Sequence, residues 1–187
     1  MSSAVLYSTL NALKEGKTIL YPTDTVWGLG CDATSFDAVA TIYKIKQREE
    51  SKSLIVLVSS LEMLLEYVNS IPPKALEIVS SSLKPTTIIY QNPKHLSSNC
   101  IASDNTIAIR IVQDDFCKEL IQKFGKPIVS TSANSSGDPT PKSFSEISKT
   151  ILDSVDYIVN LQQDKVANTS SRILRITENN EVEVIRE

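Results

Sequence analysis

Four stretches of this chain bring together side chains that could bind or turn over an anionic ligand. Lys44-Ile45-Lys46-Gln47-Arg48-Glu49-Glu50-Ser51-Lys52 carries four cations in nine residues. If the helix that contains its first part ends near Arg48, then Lys46, Arg48 and Lys52 converge, and convergent cations suit a polyphosphate. A solvated helix end, where cations meet the negative end of the dipole, accounts for the same run. In Thr106-Ile107-Ala108-Ile109-Arg110-Ile111 the strand period puts Thr106, Ala108 and Arg110 on one face and the isoleucines on the other. Thr106 and Arg110 then stand roughly 13 Å apart, at about 3.3 Å per residue, a spacing for two ends of a long ligand. An arginine on a solvated sheet face is the plainer alternative.

Tyr21-Pro22-Thr23-Asp24-Thr25-Val26-Trp27-Gly28-Leu29-Gly30 is a strand end running into a loop that holds two hydroxyls, a carboxylate and the only tryptophan. Loops at strand ends of α/β sheets are where ligands bind, although a turn with Asp24 bonded to nearby backbone fits equally. Val129 to Pro141 follows another strand with a run of serines and threonines around Asn134. Such loops donate and accept hydrogen bonds to phosphate, ribose or amino-acid groups without adding charge, and they also serve as plain polar connections.

Several common chemistries are excluded. Gly16-Lys17-Thr18 has the form of a P-loop end, but Asn11 stands where the first glycine belongs, and a helix precedes it where a strand is needed. With five glycines and no G-x-G-x-x-G, a dinucleotide fold is disfavoured. The single histidine, His95, lies in a loop sequence without a nucleophile elbow, so a Ser-His-Asp triad is not supported. Three scattered cysteines and one histidine cannot supply four spaced metal ligands.

The elements that must position these groups follow from periodicity. Leu6, Leu10 and Leu13 mark a helix with its cap at Ser2 or Ser3. Thr18–Tyr21 predicts a strand, and Phe36, Val39, Ile42 and Tyr43 a helix from near Ser35 toward Arg48. Leu54–Val58 is a continuous apolar run, the mark of a strand covered on both faces. Capping boxes at Ser59-x-x-Glu62 and Ser143-x-x-Glu146 predict helices to Val68 and about Leu152, and Pro72-Pro73 opens another. Further strands are predicted at Thr87–Tyr90, Thr106–Ile111, Ile128–Val129, Tyr157–Val159, Arg172–Ile176 and Val182–Ile185, with a helix over Asp114–Phe124. Alternation of strand and helix over 187 residues, closed by a hairpin, predicts one α/β domain spanning 1–187 with a twisted, open, mixed sheet flanked by helices. The net charge of −3 means that any polyanion site must be a local basic concentration. Unpaired cysteines, no leader-like N-terminus and no apolar run of span length predict a cytoplasmic protein away from membranes.

Taken in order, these stretches resemble the YrdC-like threonylcarbamoyl-AMP synthases in their short single-domain form. The likeness extends from Tyr21 to Arg186: the Tyr21–Leu29 opening, the Lys46-Gln47-Arg48 element with Lys52, the Thr106–Arg110 strand and the Ser132-Ala133-Asn134 element. The resemblance implies a basic cavity and a nucleotidyltransfer reaction in which L-threonine, bicarbonate and ATP give threonylcarbamoyl-AMP and pyrophosphate. ATP would carry Mg²⁺, with no metal site of the protein's own. Downstream threonylcarbamoyl-transfer machinery would then modify tRNA, and tRNA itself is a further candidate partner. It further implies that Thr25, Leu57, Arg110, Ser132 and Ser170 hold threonine, Leu57 through its backbone. Arg48, Lys52, Thr106, Asn134 and Arg186 would hold ATP, with Lys46 at the phosphates; Lys46, Arg48 and Lys52 would stabilise charge on the departing pyrophosphate. The chain departs from the family pattern at Glu49, at Leu83-Lys84-Pro85-Thr86-Thr87 and at Thr169-Ser170-Ser171. The alternatives are a relative of the same fold that binds RNA or nucleotide without making the adenylate, and a carbamoyl-transfer domain like those of hydrogenase maturation factors.

Overall fold

A computed structural model describes residues 3–49, 54–166 and 169–187 of the chain. Lys52 and the cap candidate Ser2 therefore lie outside the described residues. In chain order the elements are helix α1 (Ser3–Lys14), strands β1 (Ile19–Tyr21) and β2 (Gly28–Gly30), helix α2 (Phe36–Lys46), strand β3 (Ile55–Val58) and helices α3 (Leu61–Tyr67) and α4 (Pro73–Ser81). They continue as strands β4 (Thr86–Gln91) and β5 (Thr106–Ile111), helix α5 (Asp115–Phe124), strand β6 (Ile128–Ser132), helix α6 (Lys149–Ser154) and strands β7 (Tyr157–Ile158), β8 (Arg172–Ile176) and β9 (Val182–Arg186).

The nine strands of the described residues join one sheet in the order β7-β1-β2-β6-β3-β5-β4-β8-β9. Three pairings are parallel and five antiparallel, so the sheet is mixed, as the terminal hairpin implies. Registered partners point to the same face. One face therefore carries Leu20, Leu29, Val129, Val56, Ile109 and Ile88, and is sealed by α2, α3, α4 and α6 through Val39, Ile42, Leu64, Ala75 and Ile151. The opposite face is only half covered. Its Ile19, Tyr21, Ile128 and Leu57 lie beneath α1 and α5, which bring Leu6, Leu10, Leu13, Phe116, Leu120 and Ile121 onto them. Beyond this cover the same face continues with Ser130, Ser132, Ile55, Ala108 and Arg110, over which no helix of the described residues is laid.

Three local expectations are corrected. The helix after β3 is capped by Ser60, whose hydroxyl accepts from the Met63 N–H, and not by Ser59; the box is shifted one residue toward Glu62. Ser143–Glu146 forms only a 3₁₀ turn, and α6 starts afresh at Ser148, whose hydroxyl accepts from the Ile151 N–H. Gly28–Gly30, expected as loop, is a central strand between β1 and β6.

Candidate active site

The uncovered part of the sheet floors a cavity of about 340 Å³, within the usual range for small-molecule sites. Its walls come from four places: the loop after β1 (Thr25, Val26), the residue after the α2 cap (Arg48), the end of β6 (Ser130 to Ser132), and the segment around β8 and β9 (Ser170, Ser171, Arg186).

Arg48 reaches the cavity because of how α2 ends. Gln47 takes the left-handed conformation (φ 50°, ψ 44°), and the Arg48 N–H donates back to Tyr43 O at 3.0 Å while that of Gln47 donates to Lys44 O at 3.1 Å. The chain reverses there, so the two cations of the Lys46-Gln47-Arg48 element part company. Arg48 turns to the cavity wall. Lys46 stays on the helix, 2% exposed, and donates to Ser132 O at 2.6 Å and Asn134 O at 2.7 Å.

Arg110 stands on the floor. It is 3% exposed, lies in β5 between β3 and β4, and donates through Nη1 to Oδ1 of Asp24, which is itself 11% exposed. Its Nε is buried and has no hydrogen-bond partner among the described residues, and the residue lines the cavity floor. Arg186, from β9, donates Nε and Nη2 to Ser171 O at 3.1 and 2.7 Å, and Ser171 Oγ shares a proton with Thr87 Oγ1 at 2.8 Å. These bonds fix the backbone beside Ser170. Burial holds the Arg48 and Arg186 guanidiniums below their ordinary values, with Arg110 adding to the effect at Arg186. Burial, then the charge of Arg48, brings the Lys46 ammonium down from 10.5 to about 8. Three arginines around one recess, one of them paired with the Asp24 carboxylate, make a site for anions.

Six of the expected site residues thus line one cavity: Thr25, Arg48, Arg110, Ser132, Ser170 and Arg186. Four do not. Lys46 sits behind the wall, tied to carbonyls. Leu57 is wholly buried under α1 and α5, its backbone in the sheet between β5 and β6, because the floor on which it lies is covered at that point. Thr106 shares the face of Arg110, but its hydroxyl donates to Asp104 Oδ1 at 2.6 Å at the far end of the strand. Asn134 lines a neighbouring recess of about 290 Å³ with Asp138 and Thr140, its Nδ2 donating to Asp138 O at 2.6 Å. Ser130 and Ala108 also line the cavity, beyond the residues expected there. Each stands two residues from an expected one on the same strand face, Ser130 from Ser132 and Ala108 from Arg110, so strand alternation is the sequence signal that points to them.

Breaking the floor pair from one side has a large expected cost. Asp24→Ala leaves the Arg110 guanidinium buried without its counter-charge, and removing one partner of such a pair typically costs about 3–5 kcal/mol. Because Asp24 keeps some solvent contact, the low end, about 3 kcal/mol, is expected in urea titration; a midpoint equal to wild type would show that the pair is not a fixed part of the floor.

The fold and site together define a class: a mixed-sheet α/β domain whose half-open sheet face carries a hydroxyl-rich, arginine-lined anion cavity. Residues 11–187 match the Sua5/YciO/YrdC family model, described as "Telomere recombination", and the chain belongs to that family. It is 36% identical over 159 residues to a threonylcarbamoyl-AMP synthase of Pseudoalteromonas translucida, covering 83% of this chain and 85% of that one. It is 34% identical over 153 residues to one of Vibrio parahaemolyticus, covering 80% and 83%. Among solved structures, a P. abyssi Sua5 complexed with L-threonine superposes with a TM-score of 0.86 at 25% identity, covering 97% of this chain and 53% of that one. The present chain thus spans about half the length of that Sua5. E. coli YciO superposes with a TM-score of 0.86 at 21% identity over 100% of this chain and 90% of its own, a likeness of fold.

Proposed function

We propose that this chain is a threonylcarbamoyl-AMP synthase, the activity named for its relatives, joining L-threonine, bicarbonate and ATP. The observation that carries the reading is the cavity itself. A buried arginine with an unpartnered Nε lies among Thr25, Ser130, Ser132 and Ser170, while two further arginines stand in the walls. The first set suits an amino acid, since Arg110 can take its carboxylate and neutral hydroxyls its amine and side-chain hydroxyl. Threonine bound to P. abyssi Sua5 supports this part of the assignment. Arg48 and Arg186 suit the phosphates of a nucleotide.

The reaction then needs no protein nucleophile. Bicarbonate supplies CO₂, to which the neutral threonine amine adds, losing a proton to solvent to give a carbamate; a carbamate oxygen attacks the α-phosphorus of ATP, and the bond from that phosphorus to the α,β-bridging oxygen breaks. The electron pair leaves with pyrophosphate, and the carbamoyl adenylate remains. The chain contributes position and charge: it holds two anionic reactants side by side and offsets the charge on the departing group. Among the described residues no three of His, Cys, Asp and Glu gather as a metal cage. Mg²⁺ would enter as the complex of ATP. Lys52, Thr106 and Asn134, the last from the adjoining recess, remain candidates for the nucleotide side. This reading makes the chain a nucleotidyltransferase that hands its product to a threonylcarbamoyl-transferring partner acting on tRNA, and substrates of that kind suit a cytoplasmic location. No helix among the described residues is long and apolar enough to cross a membrane.

The test is pyrophosphate release by the purified protein. Release is expected with ATP, threonine and bicarbonate together and is expected to stop when threonine is left out; release that continues unchanged without threonine overturns the proposal.

A further inference from the structure

Among the described residues of the cationic run, Lys46 is the one cation that the fold buries, and its ammonium is fully engaged. Of its three N–H bonds, one meets Ser132 O at 2.6 Å, one Asn134 O at 2.7 Å, and Asn134 Oδ1 lies at 3.4 Å. The same residue accepts at its own carbonyl from the Ser136 N–H at 2.7 Å. Residue 46 therefore grips the turn after β6 at both ends.

The turn needs that grip. Ser132 closes β6, and its carbonyl has left the ladder to take the Asn134 N–H at 2.9 Å, a tight reversal about Ala133. The carbonyls of Ser132 and Asn134 then converge on one point, an arrangement that repels unless a cation lies between them. The anchor is rigid, because α2 is fastened to the sheet through Val39, Ile42, Tyr43 and Ile45. The other side of the turn is held by the Ala133 N–H on Trp27 O at 3.1 Å. To reach a bound phosphate, the amine would have to abandon both carbonyls and leave the turn unsupported. Arg48, two residues on, already lines the cavity.

We infer that Lys46 is a positioning residue: its ammonium sets the Ser132–Ser136 turn, and so places Ser132 in the main cavity and Asn134 in the adjoining recess. The kinetic consequences rest on the synthase reading; the structural ones do not.

Two measurements separate this role from a phosphate contact. In Lys46→Met, which keeps the side-chain length and removes every donor, the backbone amide resonances of 133–136 are expected to shift and their hydrogen exchange to quicken at least about tenfold. kcat/KM is expected to fall about 100-fold for threonine as well as for ATP, because both sides of the site hang on the turn. A folded Lys46→Met with wild-type amides at 133–136, losing only ATP affinity, overturns the inference. If Lys46→Met does not fold, the wild-type chain is titrated by NMR with the Lys46 side chain as its own reporter. The 133–136 amides are expected to move together with the loss of the Lys46 proton; a Lys46 that deprotonates while they stay still overturns the inference equally.

The sign of the pH effect helps. With burial, and Arg48 as the neighbouring charge, holding the amine down to about 8, the folded chain sheds this proton before the unfolded chain does. Between about 8 and 10.5 this group makes folding more favourable as pH rises, even as the turn loses its cation. An alkaline decline in turnover that runs together with the 133–136 amide shifts, without a decline in global stability, is therefore expected; a decline in turnover with those amides unmoved marks a direct phosphate contact and overturns the inference. A wild type that releases no pyrophosphate at any pH would remove the synthase reading and leave the two amide experiments standing.

Discussion

Arg110→Ala is expected to raise the threonine concentration for half-maximal pyrophosphate release by about 100-fold, equal to about 2.7 kcal/mol, while the ATP requirement moves less than about threefold. Charge-assisted hydrogen bonds are worth about 1.5–3 kcal/mol each, and a guanidinium facing a carboxylate in a dry floor sits at the upper end. The asymmetry follows from geometry. Arg110 projects from the middle of the sheet with Nη1 on Asp24 and Nε unpartnered, whereas Arg48 and Arg186 enter from the walls. The substitution also strands the Asp24 carboxylate, so part of any loss is a loss of fold. The double variant Arg110→Ala/Asp24→Asn removes the stranded charge, and is expected to recover most of the urea midpoint without recovering threonine affinity. Equal loss of threonine and ATP in the double variant would refute the division of the cavity into an amino-acid floor and nucleotide walls.

The parts of this site that were legible in the sequence are those where one physical demand dominates a segment. In β5 alternation sorts Arg110 from Ile107 and Ile109, and the strand spans Thr106–Ile111 as expected. The apolar run Leu54–Val58 became a strand with its neighbours on both sides. β6 is different: it continues to Ser132, beyond the apolar pair Ile128-Val129, because Ser130 and Ser132 face a cavity where a hydroxyl costs nothing to leave unburied by helix. Its polarity conceals the strand for the same reason that it makes the site. The cationic run shows a further limit. Composition records that Lys46 and Arg48 carry charge, but their opposite destinations depend on the left-handed Gln47, a residue with no strong preference for that conformation. Leu57 and Thr106 likewise sit on strands that lead to the site, at depths that only the placement of α1, α5 and the cavity decides.

Gly28-Leu29-Gly30 lacks any alternation of large residues, yet it forms a central strand, and the reason predicts the other large effect. Gly30→Ala is expected to lower stability by about 3 kcal/mol, at or above the upper range for overpacking, and the urea midpoint by about 1.5 M for an m-value near 2 kcal/mol/M. A β-carbon at Gly30 would stand 2.7 Å from Tyr21 Cε1 and 2.7 Å from the Val129 carbonyl oxygen. Neither can give way: Tyr21 is wholly buried in the layer under α1 and α5, and Val129 is backbone of the adjacent strand β6. At Gly28 the nearest atoms are Ser130 Oγ at 3.1 Å, Tyr21 Cε1 at 3.3 Å and Thr23 Cγ2 at 3.4 Å, side chains that can shift by a few tenths of an ångström. Gly28 also lines the cavity, registered with Ser132, so the added methyl intrudes on ligand space. Gly28→Ala is therefore expected to cost only about 1 kcal/mol of stability while weakening threonine at least tenfold. The two glycines, one residue apart, should separate cleanly: one variant fails in urea, the other in the assay. A Gly30→Ala protein with the wild-type midpoint would mean that Tyr21 does not pack against β2, and the floor built on that contact would have to be redrawn.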